Sequence, residues 1–225
     1  QLKDPGARAE VWDNLRRFLT SNRKRYGEKR WLPEPVLDQL GSLLEKLAPE
    51  DPALRHRWLF EEQVSILADP EAYLTELERL RTDAVSELLS QGGLGAVIAF
   101  SEAVEAPLEV GSALFLTGLD GADTARILGL MEEPAGSRRQ LARGFIWRAA
   151  RDETWVNEYL SPTGATGLSE DAVAEAMLCC PLNAAMLDHL EQFPERVRER
   201  YWQGATGVWS REPDVFPRGI DALLR

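Results

Sequence analysis

The sequence predicts an all-α protein, built either as an open stack of helical hairpins or as a closed helical bundle. Three observations carry that prediction. No segment sustains the period-two alternation of β-branched and aromatic residues that a half-buried strand shows. Apolar residues instead recur at three- and four-residue spacing in segment after segment, and Gly or Pro punctuates nearly every one of those segments. About eleven or twelve helices with short connectors result.

Taken in order, Asp4 and Pro5 form a cap and first-turn pair. Val11, Trp12, Leu15, Phe18 and Leu19 then mark one apolar face of a helix that runs toward Gly27. Arg16, Arg17, Arg23, Lys24 and Arg25 lie off that stripe as a basic side. A second helix starts near Pro35, carries Val36, Leu37, Leu40, Leu43, Leu44 and Leu47, and ends before Pro49 and Pro52. A shorter helix is expected over Ala53 to Ile66, around Trp58, Leu59 and Phe60.

The most regular helix is predicted from Pro70, capped by Asp69, to Ser90, with Tyr73, Leu74, Leu77, Leu80, Ala84, Val85, Leu88 and Leu89 on one stripe and Gly92-Gly93 as its stop. At 1.5 Å per residue it would be roughly 30 Å long. Glu71, Glu76, Glu78, Asp83 and Glu87 fall on the side expected to face solvent. Four short helices follow, over Leu94–Ala106, Leu108–Leu116, Asp123–Met131 and Ser137–Ala150. A further one covers Glu153–Leu160. Ser161-Pro-Thr-Gly-Ala-Thr-Gly167 reads as a linker. Beyond it come helices from Ser169 to Cys180, Asn183 to Gln192 and Pro194 to Trp202, then an irregular Gly- and Pro-rich stretch from Gly204 to Pro217. The expected organisation is an N-terminal cap over residues 1–68, hairpins over 69–160, a linker over 161–168 and C-terminal hairpins over 169–225.

The blocks Gly93–Gly118, Gly121–Arg151 and Ser169–Trp202 share one grammar, in which an apolar helix, a Pro break (Pro107, Pro134, Pro181) and a second apolar helix succeed each other. In these residues the chain resembles the HEAT and tetratricopeptide-like α-solenoids. The resemblance implies a concave surface that binds protein or peptide within a larger multidomain protein, and it brings no catalytic residue. The start at Gln1 and the amphipathic opening at Pro217–Arg225 suit a piece of a longer chain.

Charge is unevenly laid out. The net charge is −11, yet residues 1–30 hold nine Lys/Arg against four Asp/Glu, a surplus of +5 that leaves −16 for the remainder. Between Glu61 and Glu133 there are fifteen carboxylates and three arginines, Arg79, Arg81 and Arg126. Such a field repels nucleic acid over most of the surface and leaves a basic end beside an acidic middle. No uninterrupted apolar run exceeds the five residues of Ala96–Phe100, well short of the ~20 that span a bilayer. The two cysteines, Cys179 and Cys180, are adjacent and unsuited to pairing with each other, which favours a reducing compartment such as the cytoplasm.

Chemistry-bearing motifs are few. His56 has Glu61 nearby and His189 has Asp188, but adjacent helical residues point apart, so neither pairing forms a dyad by sequence alone. There is no His-Glu-x-x-His, Cys-x-x-Cys or acidic calcium loop, and no metal or cofactor is expected. The glycine-rich linker lacks the Gly-Lys-Ser/Thr ending of a phosphate loop. Glu61-Glu62 and Glu132-Glu133 read as solvated faces. The expected role is a non-enzymatic interaction or scaffold module that uses the acidic face to hold a protein partner or another domain of its parent chain. The alternative is a nucleic-acid-associated domain led by the basic first helix, and a third use of that helix is docking on an acidic surface within the same protein. Neither a membrane nor a small molecule is expected as a partner.

Overall fold

The computed structural model describes residues 4–24, 32–61, 70–164 and 167–205, together with positions 215, 217 and 220. Among these the fold is all-α, with eleven helices and no strand: α1 (Pro5–Lys24), α2 (Glu34–Leu47), α3 (Pro52–His56), α4 (Pro70–Ala103), α5 (Pro107–Leu116), α6 (Gly121–Gly129), α7 (Ser137–Ala149), α8 (Glu153–Tyr159), α9 (Glu170–Met177), α10 (Ala184–Leu190) and α11 (Glu195–Gly204). Local chemistry sets the starts. Asp51, Asp120, Asp152, Ser169 and Asn183 each accept a backbone N–H of the first turn that follows, satisfying one of the donors a helix start leaves orphaned. Pro107 opens α5 where a missing N–H costs nothing. The expected Asp69 cap lies outside the described residues.

Helix α4 is two helices joined end to end. Gly93 adopts φ +64°, the left-handed region that favours glycine, so the apolar stripe of Leu77, Ala84, Val85 and Leu88 is re-aimed before Leu94, Val97, Ile98 and Phe100 enter the core. By length and composition alone Glu71–Ala103 could cross a bilayer, contrary to the expectation from uninterrupted runs, but 44% of its most apolar window is buried inside the protein. It serves as the core helix here.

The helix expected over Ala53–Ile66 is shorter than predicted. It stops at His56 and tightens into a 3-10 turn over Arg57–Phe60, which drives the consecutive side chains Leu59 and Phe60 inward, with Phe60 edge-on to Phe100 at 5.3 Å between centroids. Two bonds pin this turn: Arg81 Nε donates to the Leu59 carbonyl at 2.9 Å and the Ala106 N–H to the Phe60 carbonyl at 3.0 Å. The helix predicted to reach Cys180 likewise ends at Met177, the two cysteines following in tight turns.

The closest helix pairing joins α5 to α7, and glycine makes it possible. A Cβ placed on Gly111 would stand 1.9 Å from the Leu141 carbonyl oxygen, and one on Gly144 would stand 1.9 Å from the Leu108 carbonyl oxygen. The two backbones therefore touch at reciprocal points, flanked by Val110, Leu114, Leu141, Ala142 and Phe145. Phe115, Phe145, Trp155 and Tyr159 continue the seam as an aromatic chain with successive centroids 5.4, 6.1 and 5.3 Å apart. One apolar cluster runs from Leu59 to Tyr201, including residues on both sides of the 161–168 stretch.

The N-terminal hairpin stands apart from that cluster. Trp12, Leu19 and Leu37 are buried but belong to no part of the main core. Helices α1 and α2 run antiparallel, since Arg8 at the start of α1 donates to the carbonyls of Lys46 (2.7 Å), Leu47 (3.2 Å) and Ala48 (3.4 Å) at the end of α2. A cation there satisfies orphan acceptors and opposes the negative end of the helix dipole.

Candidate interaction surfaces

The basic side of α1 is largely engaged within the molecule. Arg16 pairs with Asp13 at 2.6 Å and lays its guanidinium 4.0 Å above the Trp58 ring, leaving its side chain 12% exposed. Arg17 bridges Asp13 at 2.7 Å and Glu61 at 2.9 Å. The side chains of Arg23 and Lys24, and all of Arg25, lie outside the described residues. Of the predicted basic stripe, the two arginines that can be followed tie α1 to the segment after α3, Arg16 nearly buried and Arg17 paired but still 56% exposed.

Of the carboxylates expected on the solvent side of α4, Glu71, Glu76, Glu78 and Asp83 are exposed and Glu87 is half-buried, and four of the five are ion-paired. Glu76 and Asp83 both hold Arg79, at 2.7 Å each, in i,i+3 and i,i+4 pairs on the helix surface. The hydrogen bond from Arg79 lowers the Glu76 pKa, and the same bond raises that of Arg79. Glu78 reaches across to Arg148 of α7. Glu87 faces α3, where it accepts from Arg55 and lies 2.8 Å from His56 Nε2 and 3.1 Å from Gln91 Nε2. The bond from His56, followed by the one from Arg55, holds the Glu87 carboxyl below its usual range against the opposing effect of burial. The reason is compositional: arginines outside the acidic stretch, Arg55, Arg138 and Arg148, fold back onto it, and Arg138 takes Glu102 and Glu133.

The histidines and cysteines do not assemble into a nucleophilic centre. His56 finds Glu87 rather than Glu61. His189 is buried, its Nε2 3.2 Å from the Leu160 carbonyl, while Asp188 is exposed. Burial raises both thiols, Cys180 to about 12, so neither is a thiolate at neutral pH. Cys180 and His189 do share a cleft with Glu153, Asn157, Asn183 and Met186, but at about 70 Å³ it is far below the ~300 Å³ of an ordinary ligand pocket. Among the described residues no three potential metal donors converge.

Two surfaces escaped the sequence reading. One is apolar. Val11 and Phe18 on α1 are 41% and 43% exposed, and Val36 and Leu43 on α2 are 37% and 44% exposed. Each pair is seven residues apart, and each member sits one position before a residue of its helix's inward line: Val11 before Trp12, Phe18 before Leu19, Val36 before Leu37, Leu43 before Leu44. In an antiparallel pair equal offsets of this kind bring both stripes to the same side of the hairpin. The other surface is α7 with its exit, where Ser137–Arg151 holds five arginines and no carboxylate. Charge counts over residues 1–30 and 61–133 do not reach those arginines. Comparison with protein-family models, with curated proteins and with solved structures finds no match to this chain.

Proposed function

We propose that the chain is a non-enzymatic protein-interaction module of a larger cytoplasmic protein, and that its contact face is the apolar side of the α1–α2 hairpin. The observation that carries this reading is the pair of half-exposed stripes, Val11 with Phe18 and Val36 with Leu43, on a hairpin whose own buried residues stand outside the main core. Apolar anchors at heptad spacing on two neighbouring helices suit the apolar face of a third helix. The partner is an amphipathic helix supplied by another protein or by another domain of the parent chain. Open stacking of hairpins as in the α-solenoids stays part of this proposal, because such units leave a face for the next unit to cover.

The role first expected for the acidic face is transferred to the hairpin, since Glu78 and Glu87 are spent on Arg148, Arg55 and His56. A nucleic-acid role for α1 would have to rest on the basic residues other than Arg16 and Arg17, which are paired within the molecule. Affinity purification from cells that make the parent protein, with the partner identified by mass spectrometry, tests the reading. The partner should be lost from the Phe18→Glu, Leu43→Glu double variant and kept by Leu54→Glu, an exposed leucine off the stripes. Retention by the double variant would sink the proposal. In parallel, salt-sensitive binding of duplex or single-stranded nucleic acid, weakened by Arg23→Glu with Lys24→Glu and Arg25→Glu, would return the function to the basic helix.

A further inference from the structure

A second face, on a different element and independent of the hairpin stripes, carries its own chemistry. Of the five arginines between Ser137 and Arg151, Arg138 pairs with Glu102 and Glu133, Arg139 with Glu175 and Arg148 with Glu78. Arg151 has no carboxylate partner among the described residues, and Arg143 has none either, although its guanidinium lies against the Cys179 thiol, whose pKa it lowers against the effect of burial. Both arginines are exposed, and with Trp147 they occupy positions four residues apart along one side of α7 and its exit. Trp147 is 44% exposed and Arg151 lies over its ring at 4.4 Å. A guanidinium held over an indole ring by its carbon retains N–H donors that can fork onto a carboxylate. Leu108, 40% exposed, sits where α5 crosses Gly144, one turn before Trp147.

Tryptophan and arginine are among the residue types that dominate binding energy at protein interfaces, and the neighbouring leucine adds apolar area. Arg143 and Arg151 present positive charge outside any ion pair with a described carboxylate, in a chain of net charge −11, so an acidic segment would be drawn to them rather than to the carboxylate-rich surfaces. We infer that Arg143, Trp147 and Arg151, with Leu108, form a docking site for an acidic peptide segment bearing a large apolar side chain. The apolar group would lie on Trp147 and Leu108, and flanking carboxylates would take Arg151 and Arg143. A nucleic-acid strand fits less well, because Glu78, Glu102 and Glu133 already occupy Arg148 and Arg138 of the same helix, leaving too few arginines to follow a run of phosphates.

Fluorescence anisotropy with a fluorescein-labelled peptide of repeated Glu-Glu-Leu-Phe units tests this on the intact chain. Binding should be saturable and should weaken with salt. It should fall about tenfold or more in Trp147→Ala and in Arg151→Glu, and stay unchanged in Arg126→Glu, an exposed arginine on α6. All three positions are exposed, and circular dichroism confirms that each variant folds. Absence of saturable binding overturns the inference, as does undiminished affinity in both variants. Equal binding of a Lys-Lys-Leu-Phe repeat, or tighter binding of oligothymidylate at the same site, also overturns it.

Discussion

Adding one methyl group at Gly144 should be among the most destabilising small changes in the helix interiors. In Gly144→Ala the new Cβ would stand 1.9 Å from the Leu108 carbonyl oxygen, 2.7 Å from its carbon and 2.9 Å from its Cα. All three are backbone atoms, so no side chain can rotate away. Relief requires α5 and α7 to separate by more than an ångström at their crossing, loosening Val110, Leu114, Leu141 and Phe145 together. Overpacking of this kind costs about 1–3 kcal/mol and sometimes more, while the alanine returns up to ~1 kcal/mol of helix propensity. Because the clash is with rigid backbone, a net loss of about 2 kcal/mol or more is expected, or a fall in Tm of about 4–8 °C for a chain of this size. Gly111→Ala, the reciprocal change against Leu141, should behave alike. The controls have the opposite sign: Gly41 in α2 and Gly95 in α4 have nothing within 4 Å of an added Cβ, so alanine there should stabilise by about 0.5–1 kcal/mol. Urea unfolding followed by far-UV circular dichroism reads all four. Gly144→Ala as stable as the parent, or indistinguishable from Gly41→Ala, would refute the backbone contact and the helix packing built on it.

Two further outcomes follow from ionisable groups. The Glu87 carboxyl titrates below its ordinary value of 4.5 when folded, so its contribution is fully present above that value and is lost as pH falls through the depressed one; Glu87→Gln should flatten the acid limb of a stability-versus-pH curve below about pH 4.5 and leave the neutral region parallel to the parent. Because Cys180 is buried with its thiol pushed up to about 12, a thiol reagent at pH 8 should label it only as fast as the fold opens, and the rate should jump in urea; immediate labelling of the native protein would show an exposed thiolate instead.

The all-α class was legible because stripe spacing and Gly/Pro punctuation are local signals. Asp120, Asp152, Ser169 and Asn183 each cap a helix close to where the pattern starts one, and Gly93 does break the helix that begins at Pro70. What the pattern could not show is which glycine is punctuation and which is packing. Gly111 and Gly144 lie inside helices and matter through each other's neighbours, a long-range fact with no local mark beyond glycine in an otherwise good helical run. The ion pairs on the charged surfaces were hidden for a related reason. Helical periodicity places Glu78 and Glu87 away from the α4 stripe, but it says nothing about Arg148, Arg55 and His56 approaching from α7 and α3. Arg16 looked solvated until Trp58 came to lie beneath it. The apolar stripes of α1 and α2 were read correctly as stripes. Their excess width, which leaves Val11, Phe18, Val36 and Leu43 uncovered, became visible only once the inward lines through Trp12, Leu19 and Leu37 were fixed.

Site-specific photo-crosslinking tests the functional claim most directly. With p-benzoylphenylalanine in place of Leu43, and separately in place of Phe18, irradiation of cells should trap one and the same partner, while the same residue in place of Glu71 or Asp83 on the acidic side of α4 should trap none. Crosslinks from the α4 positions with silence at Leu43 and Phe18 would contradict the assignment of the hairpin as the contact face.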